Sequence, residues 1–447
     1  MPEPTSAGGA ALLPAAAPGG GRIGRRRFLM VGTTSAVGLG AVATAHRWAP
    51  ADIPLYSQTV AFTSPDHRST VSTPGGVRTG TRVAVDARES RMLLQREESW
   101  LAGLAPWVAE PGEHSTLLRQ ALLDIYVLSD RLPAPVAGWT PRWRYVWPRD
   151  VAHVAVALAA VGNPDRALDA LAFFRTVPRR AGLFEARYLL DGSGSPDQRT
   201  PQFDGLGWTL WALGRIHANG STAVRQRIVD DFGDLAADLA GTICEQIDAN
   251  DGLPPTSPDY WEHEESSLTL GTVAPTLAGL MSTGPLWHDL GATRLGERVA
   301  ATADHLEATT VQYFGSTGYQ RYASGGGPDA ATAFLVGPYV DQFAHGAVVP
   351  LLSEAEERMR RPAGGLAPGA RWKRDGISWT PQTSLFAMAY AHTGQDDRAH
   401  RLLRWLDRHR TAAGSLPEKV LHDGTPSAVA PLAWTAANVV LAVAALR

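Results

Sequence analysis

The 447-residue chain is poor in cysteine and in charge. Its only cysteine, Cys244, excludes an internal disulfide and a metal site built on cysteine. Charged residues make up 19% of the chain and the formal net charge is −3 at pH 7. The arginines are scattered along the chain and form no basic stripe, which excludes a nucleic-acid-binding footprint. No segment beyond the N-terminal region has a membrane-length run of apolar residues, so the sequence predicts a soluble body.

The N-terminal region has the order of an export signal. Arg25, Arg26 and Arg27 directly precede Phe28-Leu29, and a weakly apolar run ends in Ala43-Thr44-Ala45. A basic segment, an apolar segment and a small-residue cleavage site predict a signal peptide over residues 1–45. The paired arginines before Phe-Leu look like a twin-arginine signal, which implies transient contact with the twin-arginine translocase and an extracellular or cell-envelope location. An uncleaved membrane anchor is the alternative. Residues 46–90 are expected to be a linker or irregular segment with one or two short strands.

From residue 91 to 447 the periodicity predicts helices of two kinds. One kind is amphipathic and charged, such as "STLLRQALLDIYVLSDRL" at 115–132 and "DDRAHRLLRWLDRHR" at 396–410. The other kind is almost uncharged on all sides, which indicates burial on every face. This second group comprises "VAHVAVALAAVG", "GLGWTLWALGRI", "SSLTLGTVAPTLAGLM", "ATAFLVGPYV", "PQTSLFAMAYAHTG" and "AVAPLAWTAANVVLAVAAL".

The two kinds alternate as about six outer–inner pairs. Solvent-facing helices that alternate with enclosed helices are what a closed double ring requires, so the sequence predicts an all-α fold, an (α/α)6 toroid. A solenoid of helical hairpins would also alternate, but no sequence repeat with a fixed period is present.

Unusual polar and aromatic residues concentrate in the connections that lead from outer to inner helices. In a toroid these connections emerge on one rim, and loops on a rigid scaffold are where sites are built. The rim would gather Arg149, Asp150, Asp204, Asp259, Glu262, Arg321, Glu418 and many of the 14 tryptophans.

This combination suits carbohydrate chemistry. Hydrolysis of a glycosidic bond needs one carboxylic acid to protonate the leaving oxygen and a second carboxylate to activate water or attack the sugar. Other interpretations of these residues stay open: Asp150 as a helix N-cap, Arg149 as a structural ion pair, and isolated glutamates as solvated surface residues. His263 has no second histidine at ligand spacing, so neither a metal nor any other cofactor is predicted.

The ordered motifs "YVWPRD", "PQFDG", "DYWE", "RY…GGGP" and "LPEK…DG.PS…LAW" resemble the glucoamylase family of glycoside hydrolases, family 15. This family also contains glucodextranases and some bacterial trehalases. The resemblance covers about residues 113–447 and implies the (α/α)6 barrel that the helix alternation predicts independently. Two positions depart from the usual family pattern, because His263 follows the first glutamate and Lys419 follows the second.

The resemblance implies a role for each matching residue. Glu262 matches the general acid and Glu418 the general base. Arg149 and Asp150 match the pair that grips the hydroxyls of the terminal glucose, and Arg321 matches a further subsite arginine. The remaining predicted substrate-binding residues are the aromatics Tyr145, Trp147, Trp261 and Trp434, and a supporting segment on the acid side with Gln202 and Asp204.

The sequence therefore predicts an exo-acting hydrolase that releases glucose from the non-reducing end of α-glucans with inversion at the anomeric carbon. The same acid and base acting on trehalose, isomaltosides, dextran or another glycan is the second hypothesis. The third is a non-catalytic toroid that binds sugar or protein. A terpene cyclase is disfavoured because the chain has no Asp-x-Asp-Asp cluster. An oligosaccharide or polysaccharide is the expected partner, nucleic acid is not, and no oligomeric state is predicted.

Overall fold

The fold of this chain is known from a computed structural model that describes residues 58–195, 197 and 199–447. The predicted signal peptide at 1–45 and the first residues of the predicted linker lie outside this range. The described residues belong to one unit.

Helices form most of the described chain. The α-helices are α1 (Ser90–Ala102), α2 (Ser115–Ser129), α3 (Pro148–Ala160), α4 (Pro164–Ala172), α5 (Asp204–Asn219), α6 (Thr222–Asp248), α7 (Leu270–Ser282), α8 (Gly284–Asp289), α9 (Thr293–Phe314), α10 (Leu351–Met359), α11 (Thr380–His392), α12 (Asp396–Arg408) and α13 (Ala433–Ala445). Short 3₁₀ helices cover Pro106–Ala109, Phe173–Arg175, Gly315–Thr317, Ala330–Leu335 and Phe343–Gly346.

The strands are short and lie in three small antiparallel sheets. They are β1 (Thr59–Ser64) with β2 (His67–Val71), β3 (Arg179–Arg180) with β4 (Leu183–Phe184), and β5 (Ser378–Trp379), β6 (Lys419–Val420) and β7 (Pro426–Ser427) in the order β5-β6-β7.

The helices form two concentric rings. The inner ring consists of α3, α5, α7, the 3₁₀ helix Ala330–Leu335, α11 and α13. Each inner element packs on the next, and α13 packs on α3 to close the ring. The outer elements α2, α4, α6, α9, α10 and α12 alternate with them along the chain. The predicted all-α (α/α)6 toroid is confirmed.

The composition of each helix explains its ring. In α11, which carries no acidic, lysine or arginine residue, every position from Thr380 to Ala391 is buried. In α12, only one stripe that includes Leu402, Leu403 and Leu406 is buried, while its arginines lie toward solvent. An element without a polar face needs protein on all sides, and the inner ring provides it.

The fourth inner element is not the α-helix that the sequence predicts. The segment "ATAFLVGPYV" forms only the short 3₁₀ helix Ala330–Leu335, and the backbone of Val336 is extended. Pro338 lacks the N–H group that a continuing helix requires, and its ring disfavours helical conformation in the residue before it. The inner ring therefore consists of five α-helices and one short 3₁₀ helix.

The described part of the predicted linker packs onto the helical body. Arg82 and Asp124 are fully buried and form an ion pair of 2.6 Å between this segment and α2. The Asp124 carboxylate also accepts hydrogen bonds from Ser415 Oγ at 2.8 Å and from Leu416 N at 2.9 Å. Thr59 Oγ1 lies 2.7 Å from Ser415 Oγ. The hairpin of β1 and β2 is thus joined through buried polar groups to the first outer helix and to the connection that leads to α13.

Within the part of the chain that the structure describes, no helix combines the length and apolarity that crossing a bilayer requires.

Candidate active site

A cavity of about 580 Å³ opens among the connections that lead into the inner helices. This volume is within the range of small-ligand pockets. The predicted residues that line it are Trp147, Arg149, Asp150, Trp261, Glu262, Glu418 and Trp434. They come from the start of α3, the connection before α7, the residue before β6 and the start of α13. The toroid therefore brings together residues that are far apart in sequence, as the rim hypothesis requires.

Glu262 lies on a tight turn, residues 259–262, which we call the acid turn. The turn is closed by a hydrogen bond of 2.7 Å from Glu262 N to Asp259 O, and Glu262 has a positive φ of 57°. A left-handed conformation is unfavourable for a residue with a side chain, so surrounding contacts must impose it. The Glu262 carboxylate forms an ion pair with Arg199, and its other oxygen lies 3.9 Å from Arg149 Nη2.

A buried ionic network holds the acid turn in place. Arg321 pairs with Asp259 and Asp329 at 3.1 Å each and with Glu265 at 2.5 Å, and its guanidinium stacks over the Trp261 ring at 3.6 Å. Burial alone would lower the pKa of Arg321, but the charges of Asp329 and Asp259 raise it above the usual arginine value. The arginine is therefore a firmly charged anchor.

The predicted contact of Arg321 with substrate is wrong. Its side chain is only 2% exposed and lies behind Trp261, outside the cavity wall. The sequence places Arg321 on the correct rim, but its guanidinium is buried because it pairs with the carboxylates of Asp259, Glu265 and Asp329.

Glu418 is held by regular backbone hydrogen bonds. Its N–H donates to Val429 O at 2.8 Å, and its carbonyl accepts from Thr380 N at 3.0 Å. Its carboxylate accepts a hydrogen bond from Trp143 Nε1 at 3.2 Å, and Lys419 Nζ lies 3.3 Å from Oε2. Oε2 receives no well-aligned hydrogen bond from the described residues. Glu418 thus keeps one oxygen with lone pairs available in the cavity.

Arg149 and Asp150 form the buried floor of the cavity. They lie in the first turn of α3, where Pro148 occupies the first helical position and Trp147 is the N-cap residue, so Asp150 is not the cap. Asp150 Oδ2 accepts hydrogen bonds from Arg149 Nε at 3.1 Å and Nη2 at 2.9 Å. Burial raises the pKa of Asp150, and the charge of Arg149 only partly offsets that effect. Arg149 also stacks over the Trp434 ring at 4.5 Å and leaves Nη1 without a partner among the described residues.

An aromatic cluster supports the floor from the toroid axis. His153 is fully buried, lies 2.7 Å from Arg149 O and 2.7 Å from the Tyr339 hydroxyl, and contacts the rings of Trp208 and Trp211. Burial lowers the pKa of His153 to about 3, so this imidazole is neutral at ordinary pH. It therefore holds the backbone of Arg149 without adding charge to the floor.

Tyr145, Gln202 and Asp204 lie behind the cavity wall and do not line it. Tyr145 packs under the Arg187 guanidinium, 4.0 Å from its ring centre. Gln202 Nε2 donates to Asp259 O at 3.2 Å, which supports the acid turn. Tyr145 was expected among the aromatics around the pocket and instead lies behind its wall, whereas Gln202 and Asp204 were expected as a supporting segment.

Asp204 is a buried acid behind the floor. Its carboxylate accepts a hydrogen bond from Trp208 Nε1 at 3.1 Å. Burial raises its pKa to about 7 because the charge of Arg149 compensates only part of the lost hydration.

Several wall residues were not predicted. Arg199 stands in the connection before α5, and Trp372 and Trp379 stand in the connection before α11, so the concentration of polar and aromatic residues in these connections could have indicated them. The unpredicted lining residues with polar or aromatic side chains are Arg142, Trp143, Arg187, Arg199, Tyr260, Trp372, Trp379, Gln382 and Lys419.

The wall carries hydrogen-bond donors that the protein does not use. Buried indole N–H groups without a partner among the described residues belong to Trp147, Trp261, Trp372, Trp379 and Trp434. Buried donors are normally satisfied, so these five indoles are exceptions, and all five rings line the same cavity.

One group of side chains away from the cavity could hold a metal ion. Ligand atoms of Glu113, His114 and His400 lie within 4.8 Å of one another at the start of α2 and the first half of α12. Arg404 already pairs with Glu113, and His114 Nε2 lies 2.8 Å from His400 Nδ1, within hydrogen-bond distance.

The fold is shared with solved structures, whereas no family model and no curated protein matches the chain. A wild-type glycosidase is 18% identical with a TM-score of 0.63, and the match covers 75% of this chain and 99% of that one. The chain has a glucoamylase-like fold. A bacterial glucoamylase complexed with acarbose is 17% identical over 78% of this chain and 57% of that one, with a TM-score of 0.62.

A family 15 glucoamylase from Hypocrea jecorina has the same glucoamylase-like fold. It is 16% identical with a TM-score of 0.60, over 78% of this chain and 72% of that one. At such identities the likeness concerns the fold, and the chemistry depends on the cavity itself.

Proposed function

We propose that the protein is a glycoside hydrolase that releases glucose from the non-reducing end of α-glucosides with inversion at the anomeric carbon. The observation that carries this proposal is one cavity with Glu262 and Glu418 in its wall, tryptophans around them and a buried Arg149–Asp150 floor. The likeness to structures described as glycosidases and as glucoamylases supports the same reaction class.

The reaction assigns one proton transfer to each glutamate. Glu262, protonated, gives its proton to the glycosidic oxygen as the bond from the anomeric carbon to that oxygen breaks. Glu418, ionised, takes a proton from a water molecule whose oxygen attacks the anomeric carbon from the opposite face. Each group typically contributes about 10²–10⁴-fold to the rate.

The buried floor favours attack at chain ends. Arg149 and Asp150 line the cavity and would bind the hydroxyls of the last sugar, and the buried aromatic cluster of His153, Trp208 and Trp211 lies behind them. A terminal glucose fits such a closed end, whereas the middle of a polymer does not.

The test is hydrolysis of maltose, isomaltose, trehalose and starch by the purified protein, with the anomer of the first glucose released followed by NMR. β-Glucose from maltose or starch is the expected product. Cleavage of only trehalose or isomaltose would support the second hypothesis on specificity, and initial release of α-glucose from starch would exclude inversion. Sugar binding without any hydrolysis would favour the non-catalytic toroid.

We also infer that the protein is exported through the twin-arginine route. The support is Arg25-Arg26-Arg27 before the apolar run. Replacement of Arg25 and Arg26 by Lys should retain the protein inside the cell, as fractionation would show. N-terminal sequencing of the exported protein separates a cleaved signal from an uncleaved anchor.

A further inference from the structure

The acid side of the cavity has an excess of positive charge. Five lining residues are cationic and three are anionic, namely Arg142, Arg149, Arg187, Arg199 and Lys419 against Asp150, Glu262 and Glu418. Arg149 pairs with Asp150 at the floor, and Lys419 lies beside Glu418. The remaining cations, Arg142, Arg187 and Arg199, all belong to the side of Glu262.

These three arginines form one connected cluster. Asp197 Oδ2 accepts from Arg187 Nη2 at 2.5 Å and from Arg199 Nε at 2.8 Å, so one carboxylate serves two guanidinium groups. Arg187 Nη1 donates to the backbone carbonyl of Arg142 at 3.3 Å, and Arg142 itself is exposed and lines the same cavity. Arg187 Nε is buried without a partner among the described residues.

The position of Arg199 relates this cluster to the leaving group. The proposed reaction requires a glycosidic oxygen next to the Glu262 carboxylate, and Arg199 Nη1 contacts that carboxylate. When Glu262 carries the proton for donation, it no longer neutralises Arg199. Within the described part of the chain, Asp197 is then the one charged carboxylate that pairs with Arg187 and Arg199, beside the atoms that depart.

We propose that the departing part of the substrate carries an anionic group, a carboxylate or a phosphate, that binds Arg199 and Arg187. This inference rests on the proposed function and specifies its substrate class. Guanidinium groups match carboxylate and phosphate oxygens through paired hydrogen bonds, and a partly enclosed site strengthens such bonds. Neutral sugar hydroxyls would not need three arginines against one carboxylate.

The first test compares two isosteric substrates, 4-carboxyphenyl and 4-carbamoylphenyl α-D-glucoside. The carboxylate should be preferred about tenfold in kcat/KM, because a charged hydrogen bond at a half-buried site has about that worth. Higher ionic strength should reduce the ratio. A parallel pair, trehalose 6-phosphate and trehalose, distinguishes phosphate from carboxylate as the anionic group.

Two variants assign the preference to this cluster. Arg199→Gln should bring the ratio of each pair close to one. Arg144→Gln is the matched control, since Arg144 lies in the same connection as Arg142 but stacks on Trp139 outside the wall, and this variant should keep the wild-type ratio.

The outcomes separate the two proposals. Hydrolysis of charged and neutral substrates at equal rates would overturn the anionic leaving group and leave the proposed function intact. Cleavage of maltose or starch without cleavage of any charged substrate would do the same. Inert behaviour toward every glucoside would overturn the proposed function and this inference with it.

Discussion

The two glutamates of the cavity lie on backbones of opposite kinds. Glu418 precedes β6, and its N–H and carbonyl are both bonded to neighbouring backbone. Glu262 lies on a turn with positive φ, which Arg321 anchors by pairing with buried carboxylates. Backbone hydrogen bonds hold Glu418 on both sides, whereas the turn of Glu262 has one such bond and also depends on Arg321, a charge about sixty residues away in sequence. Substitution of a charged residue far away in sequence should therefore disturb the Glu262 side more than the Glu418 side.

The largest effect is expected from removal of either glutamate. Glu262→Gln and Glu418→Gln should each lower kcat on the preferred glucoside by about 10²–10⁴-fold, since neither amide can transfer the required proton. Glu264→Gln is the matched control because Glu264 is exposed and bonds Thr200, and it should stay active. Turnover above a tenth of wild type in Glu418→Gln would contradict the base assignment.

The next largest effect tests the anchor of the acid turn. Arg321→Met leaves buried carboxylates without their cation and should lower the free energy of unfolding by about 3–5 kcal/mol. Lys419→Met, the corresponding change on the base side, should lower it by no more than about 1 kcal/mol. Urea titration measures both values. Equal decreases in the free energy of unfolding for the two variants would contradict the claim that only the Glu262 side depends on a distant charge.

A smaller effect is expected from Asp204, whose folded pKa of about 7 lies above its ordinary value of 3.8. A carboxyl whose pKa is raised by folding contributes stability that is fully present below about pH 4 and is lost as the pH rises through 7. The amide of Asp204→Asn does not ionise, so the free energy of unfolding of this variant does not fall with pH in this way. The variant should therefore gain on the order of 3 kcal/mol relative to wild type between pH 4 and 8, measured by urea unfolding. A difference that does not change with pH would contradict the prediction.

The smallest effect concerns the floor that the two sides share. Asp150→Asn should lower kcat/KM about tenfold, because the amide cannot replace a carboxylate that is bonded to Arg149 and that the proposed function assigns to sugar hydroxyls. Loss of the buried pair with Arg149 should also lower the melting temperature, so the kinetics are compared at a temperature where both proteins are folded. Unchanged kinetics with a lowered melting temperature would instead make Asp150 a structural residue only.

Much of the fold and the position of the site could be predicted from sequence. The absence of charge in segments such as α11 indicates enclosure, and the alternation of such segments with amphipathic ones predicts the rings. The placement of Glu262, Glu418, Arg149 and Asp150 at one cavity follows from that topology.

The direction of individual side chains could not be predicted. Arg321 is on the expected rim but points inward, because it pairs with Asp259 and Glu265 of the connection before α7 and with Asp329 of its own connection. Arg199 approaches Glu262 from a connection about sixty residues earlier, and no local pattern encodes such a pair. The apolar composition of the fourth inner element predicts an α-helix, but Gly337-Pro338 ends the helical conformation after Leu335.

The buried bonds of Asp124 to Ser415 and Leu416 have a consequence for synthesis. These partners are separated by about 290 residues, and Leu416 lies two residues before Glu418. At the usual rate of about 5–20 residues per second, the ribosome delivers Ser415 roughly 15–60 seconds after Asp124. Throughout that interval the nearly uncharged helices lack their closing neighbours and Glu418 has not yet been synthesised. The proposed catalytic activity therefore requires that the last helical pair has left the ribosome.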